Sequence, residues 1–412
     1  MPLAAECAFS RSFGKCYLLG KRYLRANGSR SFTICGTFIE LFSPNWKVWI
    51  GAKVFYGLAM GLMQGSIPTY VSELCPIPIR GFMLSAFQLW LVMGSFLSSC
   101  ILEGTQQVDD QWSWKGAVVS QFGLSAICLG LYACLTPESP YFLVENGRSD
   151  KARAVLLRLR GGEKAYNVER DLGMIQETLD HERAISTQAG SYFDCFRGTD
   201  LRRTCIACLP MLMQQFMGFP FLGNYISYFL TLSGVRNAFV VTVIANCLSM
   251  FGVIVSFTLI EKVGRRPQMT AGSLGMLPCL LVIGIIGFTA GGSKPSTEGV
   301  AALCIIWSIF YYMSVGAVGW TLVGEVSSLR LRSKTNSVAT IANAMANMGW
   351  SLSIPYLVNA DEANLGPKSA FIFFFTGIIF GIMAFLVIPE TKGKSFSELD
   401  AKFEAHIPAR KF

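Results

Sequence analysis

Long apolar runs separated by short polar breaks recur along almost the whole chain, and this recurrence limits the fold more than any other feature. The runs cover residues 31–43, 48–71, 82–102, 114–136, 204–232, 238–260, 269–291, 299–322, 335–358 and 369–388, the first of them short and weak. A helix that crosses the hydrocarbon core needs about 20 apolar residues, since about 30 Å is spanned at about 1.5 Å per residue. Ten such runs predict an all-α polytopic membrane protein. Composition points the same way: 52% of the 412 residues are hydrophobic and 15% are charged, whereas a water-facing surface keeps about a quarter of the chain charged. Gly57, Gly61, Pro210 and Pro278 stand inside the runs. Membrane helices tolerate such residues, because neighbouring helices pack on the small ones and satisfy the groups a kink frees.

The small counts remove other function classes. The two histidines, His181 and His406, lie in charged stretches, so no apolar run offers a histidine metal site or a serine–histidine couple. Many of the thirteen cysteines fall within or beside apolar runs, and the one CxxC spacing, Cys205 to Cys208, has no second CxxC to pair with, which reads as small buried residues. No catalytic constellation, metal site or cofactor is expected, and a membrane enzyme is disfavoured.

Basic residues set the orientation. One set of loops carries Arg80, eleven Lys or Arg from Arg148 to Arg203, then Lys262, Arg265, Arg266, Arg330, Arg332 and Lys334, and the tail carries Lys392 and Lys394. The alternate loops carry almost none; residues 103–113 hold Glu103, Asp109 and Asp110 without a cation. The positive-inside rule makes the central loop and the C-terminus cytoplasmic. The net charge of +9 is then a topological signal, with no nucleic-acid partner implied. Four regions are expected: 1–136, an incomplete N-terminal bundle of about four helices; 137–203, a cytoplasmic linker with amphipathic helices, one starting near Ser149; 204–388, a C-terminal six-helix bundle; and 389–412, a cytoplasmic tail.

An internal repeat relates the bundles. Glu73 and Arg80 bracket one loop, Glu325 and Arg332 bracket another with the same spacing, and 325 minus 73 is 252. Pro137-Glu138 and Pro389-Glu390 follow the fourth and tenth runs, and 389 minus 137 is again 252. Shared offsets of this kind mark duplicated bundles. The same offset places counterparts of residues 204–260 at about −48 to 8, almost wholly before the chain's start. About ten of twelve helices are therefore expected, with the first two missing.

The motifs YVSELCPIPIRG (70–81), PESPYFLVENGR (137–148), QQFMGFP (214–220), EKVGRRP (261–267), GEVSSLRLRSK (324–334) and PETKG (389–393) resemble the sugar porter family of the major facilitator superfamily. SYFDCFRGTDLRRT (191–204) is similar to fungal α-glucoside, or maltose-type, permeases. The resemblance implies two pseudo-repeated helix bundles, a small-molecule sugar substrate, alternating access in the lipid bilayer, a plasma-membrane location and a monomer. It also implies residues. Gln88, Gln214, Gln215, Asn343 and Asn347 match the family's polar sugar contacts, Trp320 matches an aromatic contact, and Tyr225 keeps one member of an external tyrosine gate. Amides suit vicinal hydroxyls because each presents both donor and acceptor. Pro220 and Ala344 replace a family asparagine and tryptophan, which suggests a substrate larger than a monosaccharide.

Charges at the cytoplasmic helix ends fit a gating network of ion pairs: Glu73 with Arg80, Glu325 with Arg332, and Glu261 with Arg265, joined by the Pro-Glu carboxylates Glu138 and Glu390. Proton symporters of the resembled family set a first-helix carboxylate against a fourth-helix cation. Lys53 holds the cation position, its expected partner lies upstream of the chain, and Glu40 is the substitute. No cofactor beyond a proton gradient is implied. With that partner absent, active accumulation is expected to fail, so an inactive truncated transporter and a non-transporting sugar sensor are the alternatives.

Overall fold

The computed structural model describes residues 33–409, apart from 75–76, 109, 136, 161–166, 187–191, 233–236, 290–293, 328–330, 360, 393–397, 400–401, 404 and 406. Among the described residues every regular element is helical. The chain divides into two compact units, Met1–Ala189 and Gly190–Phe412.

In the first unit residues 33–41 form α1, followed by α2 (Trp46–Leu74), α3 (Ile77–Thr105) and α4 (Trp112–Leu135), and then by three polar helices, α5 (Pro140–Glu145), α6 (Ser149–Arg160) and α7 (Val168–Ser186). Pro140 opens α5, where its missing N–H costs nothing. Asn167 starts α7, its Oδ1 accepting from the backbone N–H of Glu169 (3.1 Å) and Arg170 (3.2 Å). The α6 stripe of Ala152 and Leu156 turns inward against Leu143, Val168, Ile175 and Leu179. These three helices thus carry a small core of their own and lie in the first unit. The division between the units falls inside the segment 137–203.

The second unit contains a 3-10 turn at Tyr192–Phe196, α8 (Gly198–Phe216), a π-turn at Phe219–Asn224, α9 (Ile226–Leu232), α10 (Ala238–Lys262), α11 (Arg265–Thr289), α12 (Lys294–Met313), α13 (Val315–Val326), α14 (Arg332–Val358) and α15 (Ala370–Val387). Helix α8 packs on α13, α14 and α15, so it is central to the unit.

Two expected single spans are interrupted. The run 204–232 breaks at Gly218, whose φ of 102° is left-handed and open to glycine without a Cβ clash, and Pro220 then removes a backbone donor. The run 299–322 breaks at Ser314, whose Oγ turns back to the Phe310 carbonyl at 2.6 Å.

Among the described residues five helical stretches are long and apolar enough to cross a membrane: Ala86–Thr105, Ala238–Lys262, Arg265–Thr289, Pro295–Val326 and Gly366–Val387. Of the runs read as strong from the sequence, the one on α14 is outside this set for a physical reason. Asn343 and Asn347 on that helix bond to α8, so part of its surface is polar and faces protein. Outward faces are the reverse. Phe251 on α10 and Phe375 on α15 are exposed, a placement that lipid accepts and water penalises. The chain is an integral membrane protein.

Candidate functional site

Between α8 and α14 lies a ladder of amides. Met211, Gln214 and Gln215 fall at i, i+3 and i+4, on one face of α8, while Asn343, Asn347 and Ser351 repeat every four residues on α14. The faces meet in parallel register. Asn343 Nδ2 donates to the Met211 carbonyl at 2.8 Å, and Asn347 Nδ2 donates to Gln215 Oε1 at 3.0 Å, with the same sequence separation of 132. Ser351 Oγ reaches Asn347 Oδ1 at 3.4 Å. Gln214 turns to α13, donating Nε2 to the Val315 carbonyl at 3.3 Å. Both glutamines are buried. A buried amide without partners costs about 1–3 kcal/mol, so these bonds hold the ladder in place, and a ligand hydroxyl can exchange with them at little net cost.

The remaining sugar candidates are placed around this ladder or in the other unit. Trp320 is half-buried on α13 and packs beside Ala207, Met211, Val323 and Ala339. Tyr225 donates its hydroxyl to the Ser351 carbonyl at 3.2 Å, tying the start of α9 to α14. Tyr228, three residues on, bonds Asn359 at the end of α14. Ala344 is exposed and Pro220 is buried in the π-turn. Gln88 is buried in the first unit, and its Oε1 has no partner among the described residues.

A second polar centre ties the ends of α11, α13 and α15. Arg265 grips Glu325 with two contacts, Nη2 to Oε1 at 2.7 Å and Nε to Oε2 at 3.2 Å. Two parallel contacts of this kind are stronger and more directional than a single one. Thr391 Oγ1 donates to Glu325 Oε2 at 2.6 Å. Glu390 covers the N-terminus of α11: its Oε1 accepts from the Arg265 N–H and its Oε2 from the Arg266 N–H, both at 3.1 Å. A carboxylate there satisfies unbonded amides and complements the helix dipole. The expected pairing of Arg265 with Glu261 is corrected. α10 ends at Lys262 and Gly264 turns the chain with φ 105°, so Glu261 and Arg265 stand on different helices and Glu261 is exposed. The side chains of Glu73, Arg80 and Arg332 lie outside the described residues. Glu138 is half-buried, one residue before the N-cap of α5.

Gly264 is required twice. Its φ suits glycine, and a Cβ would lie 2.7 Å from Glu390 Oε2. Gly264→Ala is expected to cost about 1–2 kcal/mol through left-handed strain, with further loss from displacing the cap. A lowered Tm in detergent checks this; an unchanged Tm would show that neither matters.

In the first unit Lys53 has a carboxylate after all. Its Nζ lies 2.8 Å from Oε1 of Glu40, which is fully buried, and it sits over the rings of Trp49 (4.8 Å) and Tyr56 (5.3 Å). Of the two partners considered for Lys53, the contact is with the substitute, Glu40, because α1 brings it beside α2. Beside it, Tyr56 donates to Gln121 Oε1 at 2.8 Å and lies 2.6 Å from Thr37 Oγ1. Glu40 Oε2 and Gln121 Nε2 have no partner among the described residues.

Comparison with known proteins gives this geometry its context. The family described as "Sugar (and other) transporter" matches residues 14–403. The chain belongs to this family. Within the sugar (and other) transporters it is 32% identical over 395 residues to a general alpha-glucoside permease of Saccharomyces cerevisiae, covering 91% of this chain and 61% of the permease. It is 30% identical over 399 residues to the major facilitator-type transporter ecdD of Aspergillus rugulosus, covering 93% and 72%. An inward-open structure of the xylose transporter XylE from E. coli aligns with a TM-score of 0.74 at 21% identity, covering 97% of this chain and 88% of that one. At that identity the structural likeness establishes the major facilitator fold. The chain therefore spans about six- to seven-tenths of the length of these two relatives.

Several residues of this transporter's polar centres escape sequence reasoning. Tyr228 had a signal, since it stands three residues from Tyr225 and so shares its helix face. Thr391 lies inside a quoted motif, yet only the fold shows it on Glu325. Asn359 carries no local signal, because its partner is more than a hundred residues away, whereas Ser351 continues the four-residue repeat of Asn343 and Asn347.

Proposed function

We propose that the chain carries an α-linked glucoside of at least two rings across the membrane by alternating access, coupled to protons through Glu40 and Lys53. The amide ladder of Gln214, Gln215, Asn343 and Asn347 supports the reading most strongly: polar side chains inside a membrane bundle mark substrate pathways, and each amide offers a hydroxyl both a donor and an acceptor. The α-glucoside class is supported by the similarity to the yeast permease and by Pro220 and Ala344, which reduce polar and aromatic bulk where the resembled family has more. In this reading the protein acts as a monomer in the plasma membrane, and the basic loops keep its C-terminus cytoplasmic.

The test is uptake of labelled maltose into vesicles holding the purified chain, with unlabelled glucose and sucrose as competitors. Saturable maltose uptake is expected, with maltose competing better than glucose. Uptake of hexoses alone would overturn the α-glucoside reading, and no uptake of either would overturn transport.

A further inference from the structure

Helix α13 presents no side chain where the Gln214 carboxamide lies against it. A Cβ added at Gly319 would stand 2.6 Å from Gln214 Nε2, 3.7 Å from its Cδ and 3.4 Å from Met211 Cε. Those atoms are the free ends of two long side chains, so an added methyl would move side-chain tips and leave the α8–α13 backbones in place. Val315, whose carbonyl takes the Gln214 Nε2 hydrogen, lies one helical turn before Gly319. The bare turn from Val315 to Gly319 is therefore a seat for this one amide.

We infer that Gly319 is the positioning residue that fixes the Gln214 carboxamide for sugar recognition, a role resting on the function proposed above. Seated in this way, the amide spends one Nε2 hydrogen on Val315, and no hydrogen bond among the described residues engages its Oε1. That oxygen is left to accept from a hydroxyl of the ligand. The ligand class is a polyol or sugar whose hydroxyl donates at this point. Where the resembled family's element reads Pro-Trp, this chain reads Gly319-Trp320, so the seat is particular to sequences with glycine before the tryptophan. A residue with a Cβ evicts Nε2 from Val315, and the oxygen moves with it.

The test is equilibrium binding of maltose to the purified full chain in lipid nanodiscs, for the native protein, Gly319→Ala, Gln214→Ala and the double variant. Gly349→Ala is the control, because a Cβ there meets nothing within 4 Å. Gly319→Ala is expected to weaken binding about five- to tenfold, the size of one lost hydrogen bond, with an unchanged Tm. The double variant should bind like Gln214→Ala alone. Native-like binding by Gly319→Ala would overturn the inference, as would additive losses in the double variant or a fall in Tm that accounts for the weakened binding. If the native protein binds maltose and only the Gly319→Ala result fails, the transport reading stands without this residue. If the native protein binds no sugar, both fall.

Discussion

Arg265→Ala should slow transport about tenfold or more while leaving the protein folded in the membrane. The side chains of Arg265 and Glu325 are 14% and 23% exposed, so the pair is shielded on most sides and still reached by water. Removing one partner of a deeply buried pair costs about 3–5 kcal/mol, and partial exposure lowers this to about 1–3 kcal/mol. The total stability of a domain is about 5–15 kcal/mol, so folding survives. An equilibrium between two carrier states is far more sensitive, since 1.4 kcal/mol shifts a ratio about tenfold. Glu325 would also keep its Thr391 contact and lose both guanidinium contacts. The checks are uptake at matched protein level and Tm. Exchanging the charges, Arg265→Glu with Glu325→Arg, should recover part of the rate. Recovery will be incomplete, because the substituted residue 265 no longer reaches the Ile260 carbonyl as arginine does. Uptake unaffected by Arg265→Ala would remove the pair from any gating role.

The partners of Arg265 show where sequence reasoning stops. Glu261 and Arg265 are four residues apart, a spacing that pairs side chains only on a continuous helix. A glycine between them was visible, but its turn became evident only with α10 and α11 in place. Long apolar runs were legible because hydrocarbon thickness fixes their length, and the motif residues were legible because their types recur in a known family. Partners were not. A glutamine's identity states that it can donate and accept, and says nothing about whether Val315 or Asn347 lies within 3.3 Å. The interruptions at Gly218 and Ser314 were hidden for a similar reason, since an apolar run reads the same whether its helix is continuous or broken. The bare surface at Gly319 is harder still, being a contact defined by an absent side chain.

Glu40→Gln is expected to abolish uncoupler-sensitive accumulation and to spare downhill equilibration, the largest qualitative change of any single substitution here. Glutamine keeps an oxygen where Glu40 Oε1 now meets Lys53 at 2.8 Å, so the local geometry is retained. The ammonium also keeps the faces of Trp49 and Tyr56, worth about 0.5–2 kcal/mol depending on how dry the contact is. Only proton exchange is lost, because an amide side chain cannot alternate between charged and neutral forms at ordinary pH. If a proton on Glu40 releases Lys53 during each cycle, the neutral amide holds the variant in the equivalent of the protonated, released state, and sugar moves only down its own gradient. The measurement is the steady-state sugar ratio across energised vesicles, with and without an uncoupler, beside counterflow exchange in the same preparation. Exchange preserved with accumulation lost supports the pair as the coupling site. Accumulation retained would assign Glu40 to the packing of α1 against α2 and Lys53 to its aromatic neighbours. Loss of exchange together with accumulation would point to collapse of the Glu40, Tyr56 and Gln121 cluster, which Tyr56→Phe would reproduce by cutting the 2.8 Å bond to Gln121 while leaving the carboxylate in place.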